Sequence, residues 1–210
     1  MSDTPPPSLV ASAAAVFTAN DTAIVPTLRH ILASPEFAAS HRSKVRRPVE
    51  HVVGSLRALG ATLPTNVDAP AYAALREALD RIGQPLFERP SPDGYPDVGA
   101  YWASSEAFLQ RWAFAGLVAR NRLTDPTEPG AVTVDLRALV PAASTGTVAD
   151  LVRRVASTVT NLDLAPADVT DLCAAASISP SAAATTVSGD LTKVGMLLGL
   201  VLCHPSFQRR

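Results

Sequence analysis

The 210-residue sequence predicts an all-α protein, an irregular multi-helix bundle crossed by a long proline- and aromatic-rich strap. Three observations predict it. Apolar residues recur at helical spacing, as in Val49, Val52, Val53, Leu56 and Leu59. The hydrophobic content of 47% is largely Ala, Leu and Val with only 5% aromatics, which suits closely packed helices better than a sheet sandwich. There is no glycine-punctuated strand series and no alternating apolar run.

The elements follow in order. Met1–Ser8 reads as a disordered leader, without the basic and apolar regions of a signal peptide. Leu9–Ala19 is an Ala-rich helix. Asp21 is expected to cap a second helix to Ala33, with Pro26 tolerated in its early turns. Ser34-Pro35-Glu36 restarts a turn: Ser caps, Pro takes the first helical position and Glu faces the positive end of the dipole. Ser40–Arg47 is a basic connector. Pro48 opens a helix over Val49–Leu59, closed by Gly60. Ala61–Ala69 is a loop, and Tyr72–Ile82 a helix burying Leu75, Leu79 and Ile82.

Gly83–Tyr101 is irregular, because Pro85, Pro90, Pro92, Pro96 and Asp93-Gly94 exclude regular structure. Ser104 or Ser105 caps the next helix, to about Arg120, with Phe108, Trp112 and Ala115 on one face. Thr124–Gly130 is a turn cluster. Val132–Val140 could form a short strand or a helical turn and is read as helical. Thr147-Val148-Ala149-Asp150 is a capping box with Asp in place of Glu, starting a helix to about Val159. Pro166 opens a helix to Ala176, Ser179-Pro180 a short one, and Asp190 caps the last, to Leu202. The whole is read as one helical domain over residues 9–210, with sub-units 9–123 and 131–210.

One phrase occurs twice. Leu28–Phe37 (LRHILASPEF) and Leu198–Phe207 (LGLVLCHPSF) share Leu-x-x-[Ile/Val]-Leu-x-x-Pro-x-Phe. Each ends an apolar helix, breaks it at a polar pair and turns on Pro, so that Phe can fold back onto the helix before it. Near the second copy, Gly195 and Gly199 lie on one helix face. Each costs ~1 kcal/mol relative to Ala, and close backbone packing against another helix is the natural compensation.

Composition excludes several functions. A net charge of −1 and pI of about 6.4 leave no electrostatic footprint for nucleic acid or an acidic membrane. Val194–Cys203 is too short for a membrane span, which needs ~20 residues. With no export signal read, the expected compartment is the cytoplasm, unless a partner or a further N-terminal segment carries the chain out. Cys173 and Cys203 lack metal-site spacing and read as inert buried thiols; a disulfide between them is the alternative for an exported protein.

Candidate binding residues are Arg46, Arg47, Glu50, Tyr95, Asp97, Trp102 and Arg111. The run His41-Arg42-Ser43-Lys44-Val45-Arg46-Arg47 stands ahead of a helix N-terminus, where cations oppose the dipole. It is read either as an anion or partner patch or as a solvated connector balanced by Glu36 and Glu50. Gly83–Trp102 is read as a stiff strap with its aromatics packed over the helices, and also as a binding surface centred on Tyr95, Asp97 and Trp102. Glu50-His51 invites a metalloenzyme reading, but an inverted zinc motif needs His where Arg47 stands. Serine-nucleophile, nucleotide-loop and paired-carboxylate signatures are absent, so no catalytic residue, metal or cofactor is assigned.

Several stretches together resemble the C-terminal part of a bacterial family of unknown function, DUF1800. They are LRHILASPEF, KVRRPVEHVVGSLRALG (Lys44–Gly60), LDRIGQPLFERPSPDGYPD (Leu79–Asp97), YWASSEAFLQRWAFAGLVARNRL (Tyr101–Leu123) and the closing LLGLVLCHPSFQRR. The resemblance implies a mostly helical protein of unassigned activity, often encoded beside a companion family with sulfatase-like features. Members are usually about twice this length, with an upstream helical half carrying an acidic, Asn-rich segment of the type NENYARELMELFTLG that this sequence lacks. The expected role is a non-catalytic module that docks onto a protein partner, the upstream half or a neighbouring gene product. The rival is part of an enzyme acting on a polymer or envelope component, which would require Arg46, Glu50, Asp97 and Arg111 to meet in one cleft.

Overall fold

In the computed structural model, which describes residues 3–210, the helix α6 (Ser105–Ala119) lies at the centre. It packs most extensively against α11 (Leu191–Cys203), then against α5 (Pro70–Ile82) and α4 (Pro48–Ala58). The α6–α11 contact is close because of glycine. A Cβ built on Gly195 would sit 2.7 Å from the carbonyl oxygen of Ala119, and one on Gly199 3.3 Å from the Cα of Gly116. The expected glycine face is therefore a backbone contact, in which dispersion between closely spaced chains offsets the propensity cost.

The remaining helices build outward. α8 (Val148–Thr160) and α9 (Pro166–Ala175) pair and close over α11. Leu151, Val152, Val155, Ala156 and Val159 of α8 all enter the core, each large aliphatic side chain contributing ~1.5–3 kcal/mol by leaving water. The one-turn helices α7 (Leu136–Leu139) and α10 (Thr185–Ser188) brace the end of α11. The described residues contain no strand, only the antiparallel bridges Val45–Arg209, Thr62–Thr133 and Thr147–Ala183. Among the described residues no helix is long and apolar enough to cross a membrane.

The N-terminal elements stand apart from this core. α1 (Pro7–Ala19) packs chiefly on α2 (Ile24–Leu32), and α2 on α1 and α3 (Pro35–Ala39). None of the three contributes a side chain to the central hydrophobic cluster. Within the expected leader, Met1 and Ser2 lie outside the described residues, α1 already begins at Pro7, and Asp3 Oδ2 accepts a hydrogen bond from Gly99 N at 2.6 Å.

Most caps fall where expected. Ser34 accepts from Phe37 N, Ser104 from Ala107 N, Asp190 from Thr192 N, and Thr147 and Asp150 complete the capping box. Five expectations need correction. Asp21 does not cap α2: Asp21 and Thr22 have φ of 49° and 63°, and the helix starts at Ile24. Val53 is exposed, at the edge of the apolar arc of α4 rather than inside it. Trp112 is exposed and Phe108 only half-buried, both flanking the core face of α6, which is Ala107, Arg111, Phe114, Ala115 and Val118. The helical turn expected in Val132–Val140 is confined to Leu136–Leu139, because ahead of it the Asn121 amide bonds both backbone groups of Val134 and Thr133 bridges to Thr62. Ser179-Pro180 forms a turn, and the short helix begins at Thr185.

The close approach of α6 and α11 predicts opposite effects for two glycines. Gly195→Ala drives a methyl against helix backbone and should cost about 1–3 kcal/mol in urea denaturation. A Cβ on Gly116 meets only the mobile end of Arg120 at 2.9 Å, so Gly116→Ala should be neutral or stabilise by up to ~1 kcal/mol. Equal responses would contradict this packing.

Candidate functional site

The sequence ahead of α4 is basic, and the fold supplies what balances it. Lys44–Arg46 pairs with Gln208–Arg210 as a short antiparallel ribbon: Arg46 N donates to Gln208 O at 2.9 Å and Arg210 N to Lys44 O at 2.8 Å. The ribbon brings Arg210 between two carboxylates, 2.5 Å from Glu50 Oε1 and 2.7 Å from Asp97 Oδ1. Lys44 Nζ closes the network at 2.6 Å from Asp97 and 3.3 Å from Asp3. Arg47 bonds Glu50 through its side chain and its backbone N–H, each at 2.8 Å, so the cation ahead of the helix is neutralised by the third residue of that helix.

These contacts set the charges. The Lys44 hydrogen bond, with Arg210 and Arg47 adding, holds the Asp97 carboxyl below its ordinary range. The Glu50 hydrogen bond pushes the Arg47 guanidinium up. Arg46 is lowered, by burial first and then by Arg42. It leaves the network and lies 4.3 Å over the Phe207 ring, in space that Gly54 leaves open.

The strap is fastened at several points. Gln84 Oε1 accepts from Val49 N at 3.0 Å, Tyr95 Oη donates to Pro85 O at 2.9 Å, and Trp102 Nε1 donates to Pro96 O at 2.9 Å. The Tyr95 and Trp102 rings stand 5.7 Å apart, and Gly99–Trp102 tightens into a 3-10 turn. Trp102 is buried, so it fastens the strap rather than presenting a surface.

Beneath it lies Arg111, wholly buried, with Nη2 at 3.4 Å from Trp102 O and with Nε and Nη1 unpartnered. Burial brings it down to about 10, still cationic at neutral pH. His51 is equally enclosed. Its Nε2 donates to Arg111 O at 3.3 Å, and its ring meets the edges of Phe207 and Phe114 at 5.8 and 6.3 Å. Burial and the nearby Arg111 push it to about 3, a neutral core imidazole.

The expected residues are thus divided. Arg47, Glu50 and Asp97 meet through Arg210, and Tyr95 and Trp102 meet in the strap. Arg46 Nε donates to Arg209 O at 3.0 Å and Arg111 Nη2 to Trp102 O, while Glu50 acts on both guanidinium groups through its charge. A cleft of about 620 Å3 lies beside the network, lined by Phe37, Ser40, His41, Arg42, Lys44, Asp97 and Arg210. Sequence reasoning missed Lys44 and Arg210 as partners of the carboxylates, since their pairing spans 53 and 113 residues. Among the described residues no three His, Cys, Asp or Glu side chains gather to hold a metal ion. Cys173 and Cys203 are free thiols rather than a disulfide, and burial pushes both up, Cys203 to about 12.

The fold and this network define a helical protein whose notable polar feature is a salt-bridged seam. The profile of the family described as a protein of unknown function (DUF1800) matches residues 1–209, and the chain belongs to that family. Neither the curated proteins nor the solved structures contain a significant match.

Buried His51 makes stability pH-dependent. Its folded pKa lies below the unfolded value, so the stabilisation is whole above pH 6.5 and is lost as pH falls toward 3. Wild type should lose about 2 kcal/mol more than His51→Leu between pH 7 and 5, read by urea denaturation at each pH. Parallel pH profiles would contradict the assignment.

Proposed function

We propose that this DUF1800 chain is a non-catalytic docking module, one helical domain over residues 9–210 that complements the upstream helical half of its family. The observation that carries the reading is the α1–α2 hairpin. α2 repeats apolar residues along one face, at Ile24, Val25, Leu28 and Leu32, yet has no buried residue. Val10 and Phe17 of α1 are exposed beside it. An amphipathic helix normally spends its apolar face on a core, and contiguous exposed apolar surface of this kind marks an interaction site.

The surroundings suit an interface. Phe37 and Ala38 of α3 lead from the hairpin to the cleft bounded by Lys44, Asp97 and Arg210. An apolar centre with a polar, charged margin is the usual anatomy of a protein contact. Lys44, Asp97 and Arg210 line that margin, and Glu50 and Arg47 join it through their ion pairs. The enzyme-half reading has less behind it, since of its four residues only Asp97 lines the cleft beside the network.

The test is titration of the 210-residue chain with the upstream half of a family member. Ile24→Asp with Leu28→Asp should weaken binding at least ~10-fold without loss of helical circular dichroism. Absence of binding by the wild-type chain, or binding indifferent to these substitutions, would overturn the proposal.

A further inference from the structure

One side chain on the strap is left out of its fastenings. Phe87 is 102% exposed, and its φ of +64° is a left-handed conformation that a bulky residue adopts only under constraint. The constraint lies in its neighbours. Gln84 is anchored to Val49 N, Pro85 O accepts from Tyr95, and Arg89 Nη1 donates to Tyr101 Oη at 3.2 Å. Phe87 is therefore an aromatic peg on a fixed hook.

Beside the peg is a hole. An apolar groove of about 520 Å3 runs between α4 and α5, with Val53, Leu63, Val67 and Leu86 exposed along its walls. Leu86, which lines the groove, immediately precedes the peg. A peg next to a hole suits a two-fold contact, in which each copy gives what the other receives.

Charge agrees with this arrangement. Glu88 follows the peg and Arg76 stands on the groove wall; both are exposed, and neither is in an ion pair among the described residues. A two-fold exchange of pegs carries each Glu88 toward the partner's Arg76. We infer that the chain pairs with a second copy of itself, each Phe87 seated in the other's α4–α5 groove. Each Phe would bury ~150–250 Å2, a small anchor against the ~1,200–2,000 Å2 of a stable interface. The pairing is accordingly weak and concentration-dependent.

Sedimentation velocity of the 210-residue chain over a range of concentrations tests this. A monomer–dimer equilibrium is expected, weakened at least ~10-fold by Phe87→Ala and also by Arg76→Glu. Adding Glu88→Arg to Arg76→Glu should restore it, with thermal melts confirming that each variant folds. A wild-type chain monomeric throughout, or a dimer undiminished by Phe87→Ala, overturns the inference. So does a dimer abolished by Ile24→Asp with Leu28→Asp, which would move self-association to the hairpin. A monomer whose Phe87→Ala variant loses the upstream half assigns the peg to that partner and equally overturns self-pairing.

Discussion

The close contact between α6 and α11 is the constraint on which the rest of the structure depends. Two glycines of α11 bring its backbone onto Ala119 and Gly116 of α6. A side chain at Gly195 would push the helices apart and open voids on both sides, and cores tolerate neither voids nor overpacking cheaply. With the pair fixed, α6 offers its other faces to α4 and α5, and α11 receives α8 and α9. The small residues that made the composition look helical are the ones that let these helices approach.

The second consequence runs through the end of α11. The helix stops at Cys203, the chain turns on Pro205, and Phe207 enters the core against His51. The next three residues pair with Lys44–Arg46 and deliver Arg210 to Glu50 and Asp97. One corner therefore seals a buried imidazole, places Arg46 over an aromatic face and joins strap to connector. Exposed ion pairs are worth little singly. Their effect here is positional, because four segments distant in sequence, at Asp3, Lys44–Glu50, Asp97 and Arg210, share one network.

Much of this was legible in the residues. Helical periodicity, proline starts and Ser, Thr and Asp caps located most helices, and the Gly195/Gly199 face announced the tight contact. What was not legible depended on distant pairing. The Asn121 amide diverts Val134 from a helix, and no local pattern in Val132–Val140 encodes that. Asp21 had cap chemistry, but backbone geometry put it in a left-handed turn. In the site, the cations around Arg47 were evident, whereas the role of Arg210 required the ribbon. Nothing local to Arg111, a candidate binding residue, or to His51 announces that both are fully buried.

The repeated phrase shows how context divides a shared local code. In the second copy Phe207 is 3% exposed and caps the core; in the first, Phe37 is 36% exposed on α3, next to the outlying hairpin. The same helix–corner unit is thus a structural plug at one end and an unspent apolar surface at the other. Stability should be graded accordingly, highest where α6 meets α11 and lowest in α1–α2. Native-state hydrogen exchange resolved by residue tests this most directly. The account predicts that amides of α6 and α11 exchange only through global unfolding, while those of α1 and α2 exchange through a local opening of clearly lower free energy. Protection of the hairpin equal to that of α6, or α11 opening on its own before the hairpin does, would contradict it.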